Sequence, residues 1–125
     1  MTSSQKEKLK VLYVEDDEIT KAAVSMFISR VADVYTASNG KEGFDMFMQH
    51  SPDIVVTDIS MPVMDGNKMI RMIMQHNENT PIIITTAFND SEHTLCKFYR
   101  IVPKPFDKDE LISAIRACAE YIGQG

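Results

Sequence analysis

VLYVEDD, residues 11–17, sets four apolar side chains directly against three acids. A short, continuous apolar run of this kind suits a strand covered on both faces, and the acids then mark where the strand stops. The same arrangement recurs along the chain. Apolar 54–56 lead to Asp58, Pro81 and the isoleucines after it lead to Thr85 and Thr86, and Ile101 and Val102 lead to Lys104. In an open parallel α/β sheet, ligands and chemistry collect in the crevice beyond the carboxyl ends of the strands. Acids, hydroxyls and an ammonium are therefore expected to converge on one small volume.

Helical patterns fill the intervals. Ile19, Ala22, Ala23, Met26, Phe27 and Arg30 fall at helical spacing after the first strand. Residues 31–37 form a β-rich run that ends at Ser38-Asn39-Gly40, a turn or helix-start signal, and Phe44, Phe47 and Met48 then line one helical face. Ser51-Pro52 breaks that helix, 53–57 is the third strand, 61–66 is a loop with Pro62 and Gly66, and Met69, Ile70 and Ile73 begin another helix. Residues 81–86 form the fourth strand. Asp107 and Glu110 have the spacing of a capping box ahead of a last helix through Leu111, Ile115, Cys118 and Ile122. This alternation predicts an α/β fold with a doubly wound parallel sheet, in a single domain over 1–125 with a polar extension at 1–8 and a tail at 123–125.

One crossover is tight. Residues 87–99 must connect two parallel strands, close to the minimum of ~10–12 residues for such a connection. The fourth helix is therefore expected to be short, about 91–98, and weakly held because Leu95 and Phe98 are its only strong apolar anchors. Pro103 places the following strand at the sheet edge, where a missing N–H is tolerated.

Composition narrows the functional classes. The chain has 125 residues, 44% of them apolar and 25% charged, enough for one globular core. A formal net charge of −5 disfavours binding driven by nucleic-acid phosphates. Cys96 and Cys118 have no metal-ligand spacing and do not form a disulfide framework, which fits a reducing cytoplasm. No apolar run approaches the ~20 residues that span a bilayer, and residues 1–10 lack the apolar stretch of a signal peptide. His50, His76 and His93 are scattered and read as loop or surface residues. Met69, Met72 and Met74 span more than one helical face and read as core filling with some exposure, with a partner groove as the alternative.

The acids carry the chemistry. Asp58 alone could be a solvated strand-end residue, and one of Glu15, Asp16 and Asp17 is expected to cap the helix that begins near Ile19. A cap needs one acid, however, and neighbouring carboxylates repel by roughly 4 kcal/mol per pair at 4 Å and an effective dielectric of 20. A hard cation relieves that repulsion, and carboxylates with a backbone carbonyl and water suit Mg²⁺.

Taken together, VLYVEDD at 11–17, VVTDISMPVMDG at 55–66, PIIITTA at 81–87 and KPF at 104–106 resemble the response regulator receiver domain, the phosphoacceptor half of a two-component signalling pair. The resemblance runs from Val11 to about Ile122. It implies a flavodoxin-like sheet of five parallel strands in the order 2-1-3-4-5, an order for which the general rule itself cites a chemotaxis receiver of this family. It implies Asp58 as the nucleophile that takes a phosphoryl group from a phosphohistidine. Asp16 is then a direct Mg²⁺ ligand, Glu15 a ligand through water, and the Ser60 carbonyl a further ligand beside Asp58. Lys104 would pair with the phosphoryl oxygens and the Thr86 hydroxyl would bond them, whereas Thr85 should point the other way. Asp17 is left as a cap or outer acid, and the Lys104-Pro105 bond is expected to be cis.

The implied partners are a sensor histidine kinase or phosphotransfer protein upstream, and an effector protein or fused output domain downstream. Direct nucleic-acid binding and membrane insertion are not expected. The family's aromatic switch position, three before Lys104, is Ile101 here, with Tyr99 and Phe98 earlier, so the conformational coupling is expected to differ. Ser60 and Phe88 occupy the two positions by which the family tunes phosphoryl lifetime. Two other classes are weighed against the phosphoacceptor: a receiver-like docking module that works without phosphate, opposed by the complete acid, Thr and Lys set, and a Mg²⁺-dependent phosphohydrolase, opposed by the absence of an evident general acid. The domain is thus expected to catalyse only its own phosphoryl transfer and loss. The chain ends soon after its last helix, which leaves open action by binding alone or as part of something longer.

Overall fold

The structure is a computed structural model and describes residues 9–86 and 98–124; the side chains of Thr86 and Gln124 are outside that description. Five strands, β1 (Lys10–Val14), β2 (Asp33–Ala37), β3 (Ile54–Asp58), β4 (Ile82–Thr86) and β5 (Tyr99–Pro103), pair in parallel in the order β2-β1-β3-β4-β5. That is the expected flavodoxin-like order, with the proline-containing β5 at an edge. Among the described residues the helices are α1 (Glu18–Ile28), α2 (Gly40–His50), α3 (Gly66–His76) and α4 (Lys108–Gln124). None is long and apolar enough to cross a membrane.

Strand alternation builds two cores from one set of apolar runs. Val11, Tyr13, Val56, Ile83 and Val102 face Val24 and Ile28 of α1 and Leu111, Ile115 and Cys118 of α4. Leu12, Val14, Val55, Ile82 and Ile84 face Phe47 of α2 and Met69, Ile70 and Ile73 of α3. Each fully buried Val, Leu or Ile contributes about 1.5–3 kcal/mol of hydrophobic transfer, which is why continuous apolar strands need both layers.

Side chains mark the helix ends. Asp17, Asn39 and Asp65 accept the amides of Thr20, Glu42 and Lys68, each at 2.9 Å. The expected capping box is formed: Asp107 Oδ1 accepts the Glu110 amide at 2.9 Å and Glu110 Oε1 accepts the Asp107 amide at 3.0 Å. β2 starts at Asp33 rather than Val31, because the amides of Val31 and Ala32 still donate to Ile28 O in the turn that closes α1. The expected short fourth helix, with Leu95, His93 and Cys96, lies outside the described residues. Phe98 is described, in a bend before β5, and stacks on Tyr121 with ring centroids 4.5 Å apart.

Register sets the geometry of the carboxyl end. Asp58 pairs with Thr85 and Thr85 with Val102, so these three share one row across the sheet. Glu15 extends β1 toward that row, its amide donating to Ala37 O at 3.0 Å. Lys104 lies just past the end of β5, and the Lys104-Pro105 bond is cis, as the resemblance implied.

Candidate functional site

The strand ends converge. One carboxylate oxygen each from Glu15, Asp16 and Asp58 lies within 4.8 Å of the other two, the one such group of potential metal-binding side chains among the described residues. Glu15 is 1% exposed and Asp58 9%, whereas Asp16 is open to solvent. Two acids thus form the floor of the pocket and one forms its rim.

Lys104 bridges the two buried acids, its Nζ donating to Glu15 Oε1 at 3.0 Å and Asp58 Oδ2 at 2.8 Å. Burial opposes its charge, but the hydrogen bonds to Asp58 and Glu15 outweigh that and raise its pKa above the ordinary lysine value. The remaining oxygens have backbone donors: Asp58 Oδ1 accepts the Ile59 amide at 2.7 Å and Glu15 Oε2 the Asp17 amide at 3.1 Å. Asp17 itself turns away to cap α1. Hydrogen bonds from the Thr20 hydroxyl and amide hold its pKa below the ordinary carboxylate value.

The loop 59–65 is folded tightly over the site. Its residue Val63 has φ 69°, and the Met64 amide donates to Pro62 O at 2.7 Å, closing a three-residue turn that β-branched side chains rarely enter. Gly66 then starts α3 against the end of β3, with its amide 2.8 Å from Ile59 O. A Cβ at this position would lie 2.3 Å from the Asp58 carbonyl oxygen, so only glycine permits that approach. Ser60 lies in the same loop, exposed, two residues after Asp58. Thr86 closes β4 opposite Pro103. Its side chain is outside the description, as is Phe88.

The hydroxyl of Tyr13 was not singled out by sequence reasoning. Tyr13 Oη and Thr85 Oγ1 are buried without a hydrogen-bond partner, and Thr85 is the register partner of Asp58. The available signal was a phenol two residues before Glu15 in an otherwise aliphatic strand. Desolvation, then the charges of Glu15 and Asp58, push the Tyr13 pKa upward. The described histidines lie elsewhere: His50 stacks on Tyr35 at 4.1 Å, and His76 meets the edge of Phe47. Ile101 packs half-buried on the α2/α3 side core, and Tyr99 is exposed.

Such a pocket presents a buried carboxylate beside a fixed ammonium and an acidic recess of carboxylate oxygens. Comparison with known proteins gives this geometry its context. The sequence pattern of the response regulator receiver domain matches residues 11–116. The chain is 34% identical over 107 residues to the regulatory protein AtoC of Escherichia coli, covering 82% of this chain and 23% of AtoC. It is 28% identical to the N-terminal domain of an uncharacterized protein from Wolinella succinogenes, with a TM-score of 0.83 and coverage of 94% and 99% of the two chains. A CheX-CheY-BeF3-Mg complex from Borrelia burgdorferi matches at 25% identity, a TM-score of 0.76 and coverage of 94% and 93%.

The chain belongs to the response regulator receiver domain family. It is a phosphoacceptor signalling domain of the two-component type, and it spans about a quarter of AtoC's length.

Proposed function

We propose that Asp58 is the phosphoacceptor. The single observation that carries this reading is the Lys104 contact: Asp58 Oδ2 lies 2.8 Å from Nζ at the end of β3, in one recess with Glu15 and Asp16. The Asp58 oxygen attacks the phosphorus of a phosphohistidine, the P–N bond breaks, and the imidazole leaves as a neutral ring after taking up a proton. An acyl phosphate remains on Asp58.

The donor set fits Mg²⁺: three carboxylates present oxygen atoms, the group contains no thiolate or imidazole among the described residues, and the exposed rim at Asp16 leaves room for water ligands. Glu15, Asp16, Asp58 and the Ser60 carbonyl would hold the ion, which supplies positive charge against which two anions can meet. The Borrelia complex contains Mg and BeF3 on the same fold. Lys104 leaves the acids to pair with the phosphoryl oxygens, and the Thr86 hydroxyl bonds one of them. Added charge of about −1.5 to −2 then selects between arrangements of the surrounding loops, which is the signal. The upstream partner is a histidine kinase or phosphotransfer protein, and the domain turns over only its own phosphoryl group.

The test is intact-mass measurement after incubation with acetyl phosphate and Mg²⁺. One labile phosphoryl should appear, and should be absent in Asp58→Asn and when EDTA replaces Mg²⁺. No adduct on the wild type, or an undiminished adduct on Asp58→Asn, overturns the assignment.

A further inference from the structure

Tyr13 packs its ring in the core shared with α1 and α4, and the residue has no solvent exposure. Its hydroxyl nevertheless has no hydrogen-bond partner, although burying such a group unpaired costs about 1–3 kcal/mol. Phenylalanine would fill the same volume without that penalty. The hydroxyl faces Glu15, the next side chain on that face of β1, closely enough that the carboxylate acts on it as an acceptor and helps raise the phenol's pKa, but the contact falls short of a well-formed hydrogen bond, and the charge of Asp58 also acts on it. Every acid facing it is an acceptor, and a phenol is a donor.

Glu15 has both oxygens occupied in this structure, one by the Asp17 amide at 3.1 Å and one by Lys104 at 3.0 Å. The second of these is temporary on the reading proposed above, because Lys104 is required at the phosphoryl oxygens. Once Lys104 leaves, a carboxylate that is 1% exposed loses a donor and has little access to water. The buried hydroxyl beside it then becomes the available replacement.

We propose that Tyr13 is a positioning residue for the cation site: its hydroxyl donates to the Glu15 oxygen that Lys104 gives up, and so holds that carboxylate in orientation for Mg²⁺. This inference rests on the acid cluster being the Mg²⁺ site. It assigns a reason for a phenol in the α1/α4 core, because the hydroxyl that is unpaired while Lys104 holds Glu15 becomes paired once Lys104 moves to the phosphoryl group.

The two forms give the test opposite signs. In Tyr13→Phe the metal-free protein should melt at the same temperature as wild type or higher, because no bond is lost and an unpaired buried hydroxyl is removed. Mg²⁺ affinity, measured by calorimetric titration of the full chain in the presence of beryllium fluoride, which occupies the phosphoryl position and draws Lys104 away, should fall about tenfold, the size of one hydrogen bond to a charged group. A lower melting temperature in EDTA would show that the hydroxyl is already bonded in the metal-free fold, and an affinity within twofold of wild type would show that it does not act on Glu15. Either result overturns the proposal. Wild-type protein that takes up no Mg²⁺ would overturn the cation site as well, which separates failure of the site from failure of Tyr13.

Discussion

Replacing Lys104 by Met keeps most of the side chain's length and removes a positive charge that touches both buried acids. Nζ lies 3.0 Å from Glu15 and 2.8 Å from Asp58, whose side chains are 2% and 13% exposed. Without it, oxygens of Glu15, Asp16 and Asp58 remain within 4.8 Å of one another. Two unit charges at that separation repel by about 3.5 kcal/mol at an effective dielectric of 20. That figure is a ceiling, and the 25% exposure of Lys104 reduces the expected loss to about 2–3 kcal/mol.

At about 4 °C per kcal/mol for a chain of this size, Lys104→Met should melt roughly 8–12 °C below wild type in EDTA at pH 7. Millimolar Mg²⁺ should recover most of the difference, because the ion binds only the folded state and no longer competes with an ammonium. Differential scanning calorimetry at pH 7, with and without Mg²⁺, measures both effects. A gap below about 4 °C in EDTA, or one that Mg²⁺ does not narrow, would refute the view that Lys104 neutralises this pocket.

Two further outcomes follow from the packing. Gly66→Ala places a methyl carbon 2.3 Å from Asp58 O and 2.9 Å from Ile59 Cα, both backbone atoms, so the start of α3 must shift. Urea denaturation should show a loss of about 2–3 kcal/mol, and an unchanged midpoint would mean that α3 does not abut β3 this closely. Burial pushes the Cys118 thiol from its ordinary value of 9.0 up to about 12, with Arg100 acting weakly in the other direction. The folded thiol therefore keeps its proton in a range where the unfolded one loses it, and this contribution to stability, complete below pH 9.0, falls by up to about 1.4 kcal/mol per pH unit toward pH 12. Chemical denaturation across that range should show a shallower alkaline decline for Cys118→Ala than for wild type, and parallel declines would contradict the assignment.

Much of the pocket was legible before any coordinates because its members stand at strand ends. Glu15, Asp16, Asp58 and Lys104 each follow a short apolar run, and parallel topology brings such ends together whatever the details of packing. Caps were legible for a similar reason: Asp107 and Glu110 satisfy amides within their own turn. The three acids after β1 were not separable in this way. That Asp17 caps α1 while Glu15 turns inward depends on where the helix axis leaves the strand, and adjacent residues with like charges carry no sign of it. Tyr13 was passed over because strands commonly contain tyrosine, and only burial on one particular face leaves its hydroxyl without a partner.

The chain's own pattern of apolar runs, acids and turn residues thus determined the α/β alternation, the sheet order through family resemblance, and which residues meet at its carboxyl end. The alternation follows from periodicity and local hydrogen bonding, which act over a few residues, whereas the sheet order is what the resemblance implied. Tertiary structure alone decided which oxygen of each acid Lys104 holds, that Gly66 abuts Asp58, and that a phenol lies unpaired beneath Glu15. Those contacts join segments far apart in the chain through register and side-chain direction, and a shift of one residue in a strand would turn each side chain to the opposite face.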